Sequence, residues 1–300
     1  MPIATSNGVQ AGTKVVRSEM FYPARDIIPT ALVYQLATNC GTIEGDEPVV
    51  SIPIIMPMTA AEIIAEGEEI PETDALMQSI DIRTYKVSIL SAASNEIAVY
   101  GNTSDEIQDM LGAAMIKAIV DKADAILLQN TPTTDSEGGR KGPAGLFNAP
   151  GITTGYTITT GNTIPNTLGP LVDALAAVAA KGARPTHLVM NFATWAKLLN
   201  LKYADGRPII APDVANSPAP VIYGVPVVIN AQAPDDKILI NDSNVVYAAV
   251  SQVRAASSDH DKFRNDAVTF RTTFRFGFGS TNPERLAVVD IAAATTGKGA

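Results

Sequence analysis

Three hundred residues are long for one compact domain and short for three, so the chain makes one elaborated domain or two. Apolar residues make up 46% and charged residues 18%, which fits a folded chain with ample core rather than a disordered one. The net charge of −9 and a pI near 4.8 argue against a protein whose main task is gripping phosphates, and leave Lys14, Arg17 and Arg25 as the best seed of a local basic face. The single cysteine, Cys40, cannot form an intrachain disulfide, which points to a reducing compartment. Its surroundings, LATNCGTIEG, hold no His or basic residue to activate the thiol, so it reads as a small buried filler. No apolar run approaches the roughly 20 residues that cross a bilayer, and MPIATSNGVQAGTK is not a secretory signal. The expectation is a soluble cytoplasmic product with no membrane partner.

Taken in chain order, residues 1–34 are interrupted by Gly8, Gly12, Pro23 and Pro29 and read as an arm ordered by partners. VVSIPIIMPM is extended, with Pro53 and Pro57 marking an edge strand. The acidic stretch AEIIAEGEEIPETDALMQS follows. In IDIRTYKVSILSAAS the alternation sets Ile80, Ile82, Thr84 and Lys86 against Asp81, Arg83 and Tyr85. Two extended limbs around a charged tip predict a long β-hairpin that needs another surface to lie on.

Thr103-Ser104-Asp105-Glu106 is a capping-box pattern that opens a helix running to about Gln129. Ile107, Leu111, Ala114 and Ala118 would share one stripe, and Ile116, Val120, Ala123 and Leu127 the adjoining one. A second helix spans about Leu168–Lys181, with Gly182 as its left-handed C-cap. HLVM reads as a buried strand, Asn191 as the cap of the helix FATWAKLLN, YGVPVVIN as a strand, and DKILINDSNVVYAAV as a strand pair around Asn241-Asp242. Short connections between them predict an α/β lobe over 166–252. In VTFRTTFRFGFG the apolar side is Val268, Phe270, Phe274, Phe276 and Phe278, and Thr269, Arg271, Thr273 and Arg275 point away. LAVVDIA is expected to return as the antiparallel partner of that strand.

Candidate chemistry is sparse. Glu62, Glu66, Glu68, Glu69, Glu72 and Asp74 lack the order of a calcium loop and the opposed placement of a glycosidase pair, so a solvated charged loop is preferred to a catalytic or metal site. An enzyme using this 62–74 loop is the weakest alternative. His187 opens an apolar strand, His260 lies in SSDHDKF, and neither has a nucleophile or triad partner nearby. No phosphate-loop fingerprint occurs, and Trp195 with Leu198 and Leu199 reads as core. The composition implies no cofactor, no metal and no catalytic residue. A chain with an arm, an extended hairpin and no catalytic set reads as built for contact with copies of itself.

The order of parts resembles the major capsid proteins of tailed bacteriophages, the Hong Kong 97-type family to which encapsulin shells are related. The resemblance is carried by IPIIMPMTAAEIIAEGEEIPETDALMQSIDIRTYKVSIL, by TSDEIQDMLGAAMIKAIVDKADAILLQN with GPAGLFN after it, by THLVMNFATWAKLLNLKYADGRPI with YGVPVVI, and by the closing strands. It implies an α+β fold with an N-terminal arm (1–34), a peripheral domain with a long spine helix (35–52, 86–165 and 253–297), an extended hairpin called the E-loop (53–85), an α/β axial domain (166–252) and a frayed tail (298–300). It implies hexamers and pentamers of one chain in an icosahedral phage head, assembled in the host cytoplasm and enclosing double-stranded DNA without reading its sequence. The E-loop tip acids would touch a neighbouring subunit, and Lys14, Arg17 and Arg25 would be inner-surface contacts. Met1 precedes the arm with no long scaffolding segment, so scaffolding is expected to be separate or absent; portal and decoration proteins are the further partners the resemblance implies. Some relatives weld subunits through an E-loop lysine; this chain has no lysine between Pro53 and Tyr85, so no such crosslink is expected. An encapsulin-type compartment is the alternative shell.

Overall fold

The computed structural model describes residues 19–22, 31–43, 49–55, 63–64, 67, 77–94, 104–134, 140–160, 168–203, 205–210 and 220–293. The long strand that alternation predicts near the end of the chain is β15 (Ala267–Ser280), and it is the axis of the first sheet. Along one edge it pairs antiparallel with β13 (Val246–Ser251) and β14 (Val253–Lys262). Along the other edge it pairs with β5 (Tyr85–Ser94), from Ala267 opposite Ser94 to Phe276 opposite Tyr85. Outside these lie β2 (Thr38–Ile43), parallel to β13, and β1 (Glu19–Tyr22), antiparallel to β14.

On β15, Thr272, Phe274, Phe276 and Phe278 are all buried on one face, and the three rings stack with centroids 5.4 and 6.2 Å apart. The predicted apolar face differs at its start. Val268 and Phe270 are only half-buried, whereas Thr269 is buried and donates its hydroxyl to Asp261 Oδ2 at 3.1 Å. The core therefore covers only the second half of the strand.

Against that face lies α2 (Ser104–Gln129), about 39 Å long at 1.5 Å per residue, packed on β5 and β15. Its buried row is Met115, Ile119, Ala123 and Leu127. Of the expected stripes, Ala123 and Leu127 are buried and Ile116 and Val120 half-buried, but Ala114 and Ala118 are exposed. The i+4 row is inclined to the helix axis and so keeps contact across a twisted sheet, which small alanines off that row do not reach. Thr103, and the side chain of Ile107, lie outside the described residues. The chain enters this core at Ala31 and Leu32, just before α1 (Val33–Leu36), where Val33 is buried and Leu36 fully so.

The second sheet runs β10 (Val221–Ile222), β11 (Val225–Ile229), β9 (His187–Met190), β12 (Lys237–Asn241), β16 (Ala287–Ala293), β8 (Thr153–Thr160). Two expectations change here. LAVVDIA, which forms β16, does not pair with β15; it lies antiparallel to β12 and parallel to β8. Ala287, Val288, Val289 and Ile291 are all buried, so this strand needs cover on both faces, which an interior place in the second sheet supplies. The strands on either side of Asn241-Asp242 do not pair with each other, because β12 belongs to the second sheet and β13 to the first. The crossing is pinned by buried polar groups. Asn241 Nδ2 donates to the Leu36 carbonyl at 2.8 Å, and Asp242 accepts from the Arg184 and Asn244 amides at 2.8 and 3.1 Å.

Helix α3 (Gly169–Ala180) packs on β8 and β16. It closes at Gly182, whose φ of +78° suits only a residue without a side chain, as the C-cap pattern predicts. Helix α4 (Phe192–Leu199) is capped by Asn191, whose Oδ1 accepts the Thr194 amide at 2.7 Å, and it buries Trp195 and Leu198 in the second core. Asn191 also donates to Asp235. Asn191→Ala is expected to lower subunit stability by about 1–2 kcal/mol, read as a fall in the urea midpoint, because the first-turn amide loses its acceptor.

Candidate assembly surfaces

Val49–Ile55 (β3) and Met77–Arg83 (β4) pair antiparallel from Val49 opposite Arg83 to Ile55 opposite Met77. They form a two-stranded sheet of their own. Such a ribbon is marginal in water unless it is seated on something. Its base is seated: Ile82 is 1% exposed and lies against Gly277 and Gly279 of β15. Further out, Met77 is 73% exposed and Ile63 fully so. Gly67 stands in a turn with φ +92°. The tip acids Glu62, Glu66, Glu68, Glu69, Glu72 and Asp74 lie outside the described residues, as do Lys14, Arg17 and Arg25.

The expected alternation across the hairpin's second limb is interrupted at Thr84, which is buried between β4 and β5. Ile82 and Thr84 are buried on even numbers; after the break Val87 is buried and Lys86 is exposed. Thr84 accepts a hydrogen bond from Arg275 Nη1 at 3.2 Å. The break turns Lys86 away from the isoleucines with which alternation grouped it. It stands opposite Arg275, on the sheet face turned away from the phenylalanines. Arg254, opposite Thr273, and Arg271 share that face. Sequence reasoning placed Arg271 and Arg275 there but missed Lys86 and Arg254; the phase of Val87 and Ile89 was the available signal.

A second junction was also missed. Asp124, on the buried side of α2 and 4% exposed, accepts from the Leu32 amide and from Asn230 Nδ2, both at 2.9 Å. It joins the helix, the entering chain and the loop after β11. Burial pushes its carboxyl up to about 6, opposed by the two hydrogen bonds and aided by Asp121.

The α/β lobe exposes Phe192, Tyr203, Val221 and Tyr223, with Arg207 over the Tyr203 ring at 6.0 Å. Cys40 is half-buried and its thiol donates to the Ala248 carbonyl at 3.1 Å; burial pushes its pKa up, away from reactivity. His187 is half-buried beside the Thr186 hydroxyl, and burial lowers its pKa. Among the described residues no three His, Cys, Asp or Glu side chains gather as a metal site, and no helix is long and apolar enough to cross a membrane.

This architecture is shared with solved structures. A chain of Mycobacterium phage Bobi superposes with a TM-score of 0.65 at 19% identity, covering 94% of this chain and 95% of that one. A chain of Gordonia phage Cozz gives 0.67 at 18% identity, over 88% and 87%. A structure titled as the capsid of an empty GTA particle, computed with C5 symmetry, gives 0.67 at 19% identity, over 98% and 96%. A spine helix braced on one sheet, a ribbon standing off it and a separate α/β lobe make this a Hong Kong 97-like capsid fold. The phage capsid family model matches residues 25–291, and the chain belongs to that family. No curated protein matches the sequence.

Proposed function

We propose that this chain is the structural subunit of an icosahedral phage head, self-assembling as hexamers and pentamers and enclosing double-stranded DNA without sequence-specific contacts. Membership of the phage capsid family supports the shell role. The observation that carries self-assembly is the ribbon β3–β4, which is seated on β15 at its base, around Ile82, and exposes Met77 at its far end and Ile63 in the segment between its strands. Obligate assemblies bury such surfaces over several thousand Å². The tip acids 62–74 would set register against a neighbour, each pair contributing little and the shell repeating it many times. Residues 53–85 would be the E-loop and 166–252 the axial domain, although the sheet at its centre also takes in β8 and β16 and its last strand, β13, joins the first sheet; the remaining body would be the peripheral domain. Its place is the virion, after assembly in the host cytoplasm, and its chemistry is contact rather than turnover.

The test is to express the full chain and image it by negative stain alongside light scattering. Closed particles tens of nanometres across are expected, and a monodisperse monomer at every concentration would refute the reading. Nucleic acid inside those particles distinguishes a phage head from a cargo compartment. On a denaturing gel the particles should run as single chains, because the hairpin segment 53–85 has no lysine to form an isopeptide; ladders of linked chains would contradict this.

A further inference from the structure

Strands β10 and β11 are joined by Tyr223 and Gly224 alone, since Ile222 stands directly opposite Val225. Both joining residues have positive φ, +50° at Tyr223 and +80° at Gly224, which makes the connection a type I′ turn. Glycine adopts the second of these positions freely, and asparagine or glycine suits the first. A tyrosine there is held in a backbone region that bulky side chains avoid. The subunit recovers little of that cost, because Tyr223 is 58% exposed. Strain of this kind persists where a function keeps the residue in place.

The ring has apolar company. Alternation puts Val221, also exposed, on the same side of the strand, and the exposed Pro226 is paired with Val221. Ile222 between them turns the other way, into the second core. Strand β10 ends its sheet, so this apolar tip lies at the sheet's outer margin. No charged residue occurs from Pro220 to Pro234, in a chain that is 18% charged.

We propose that the tip formed by Val221, Tyr223 and Pro226 is a contact with a second copy of this chain in the assembled shell, and that Tyr223 is kept strained to present its ring to that neighbour. The inference rests on the shell reading above. A tip without charge offers nothing to phosphates. Depletion of charge around an exposed tyrosine is instead the mark of the buried centre of a protein interface. Size decides which protein. The three side chains can bury only on the order of 200–300 Å², well short of the roughly 800 Å² per partner that holds a free-standing complex together. A separate protein would not stay on this tip alone. A second copy, tied to the first by other contacts as well, can use the tip to fix alignment.

The test places Tyr223→Asn and Val221→Lys separately in the full chain. Asparagine suits the turn, so the free subunit should melt at the wild-type temperature or about 1–3 °C above it. The assembled fraction, read by light scattering, should nevertheless fall about tenfold. Val221→Lys, at an exposed site, is expected to leave melting unchanged and to lower assembly by a similar factor. If it melts lower, Val221→Thr replaces it and should still reduce assembly severalfold. A lower melting temperature for Tyr223→Asn would mean that the ring packs within the subunit, and would overturn the proposal. Assembly of that variant at the wild-type level overturns it too. Variant particles that form normally but lose a co-purifying protein would give the tip to a different partner, against the proposal. Wild-type chain that forms no particles would fail the shell reading itself, whereas wild-type and variant particles forming alike would fail only the tip.

Discussion

Replacing Gly277 with valine is expected to destabilise the subunit by about 2–4 kcal/mol and to abolish particle assembly. A Cβ at this position would stand 2.4 Å from the Arg83 carbonyl oxygen and 2.9 Å from Ile82 Cγ2. The first of these is backbone, so no side-chain rotation relieves it. Strand β4 would have to lift from β15, taking with it Ile82, among the largest fully buried side chains of the fold. Ile82 is the anchor of the ribbon, so the same change that costs core packing leaves the hairpin without a base. Gly279→Ala is the matched control. Its Cβ would meet only isoleucine side-chain atoms at 3.5, 3.8 and 3.9 Å, ordinary contact distances, and it should change stability by no more than about 0.5 kcal/mol. Urea midpoints of the free subunit and light scattering of assembly mixtures read both effects. A valine variant that unfolds and assembles like wild type would show that the hairpin is not seated at Gly277.

What the sequence made legible was local. A run of residues without proline from Ser104 to Gln129 produced α2, Gly182 closed α3, and Asn191 capped α4, because each depends on neighbours a few residues away. The hairpin limbs were visible for the same reason. Partner choice between strands was not. That both faces of β16 are apolar can be read from LAVVDIA, but that β12 and β8 cover its edges depends on residues far along the chain. The phase break at Thr84 and the bulge at Ser251–Val253 shift side chains between faces, and a strict period of two hides both. The candidate surface suffered most, since Lys86 was grouped with the ribbon's isoleucines and Arg254 was not singled out. Asp124 was one of several carboxylates on its helix, three and four residues before Leu127 and Leu128; its partners Leu32 and Asn230 are 92 and 106 residues away.

Asp124 gives the subunit a pH dependence opposite to that of an ordinary paired carboxylate. Its folded value, about 6, lies above its ordinary value of 3.8, with burial as the main cause. Between those two values the native state holds a proton that the unfolded chain has released, so stability falls as pH rises through the window. Below it both states are protonated; above it both are ionised and the loss is complete. Two pH units correspond to at most about 3 kcal/mol. Urea unfolding of the free subunit from pH 4 to 7.5 should show this fall in wild type relative to Asp124→Asn. The slope, not the absolute stability, is the measurement. Asn230 Oδ1 already accepts the Gln232 amide at 2.7 Å, so its amide cannot turn to suit an asparagine at 124 without losing that bond. Asp124→Ala leaves the Leu32 amide without its acceptor and should cost about 2–4 kcal/mol at pH 5, where the native carboxyl is mostly neutral. Parallel stability curves for wild type and Asp124→Asn would mean that the junction between α2, the entering chain and the β11 loop does not titrate.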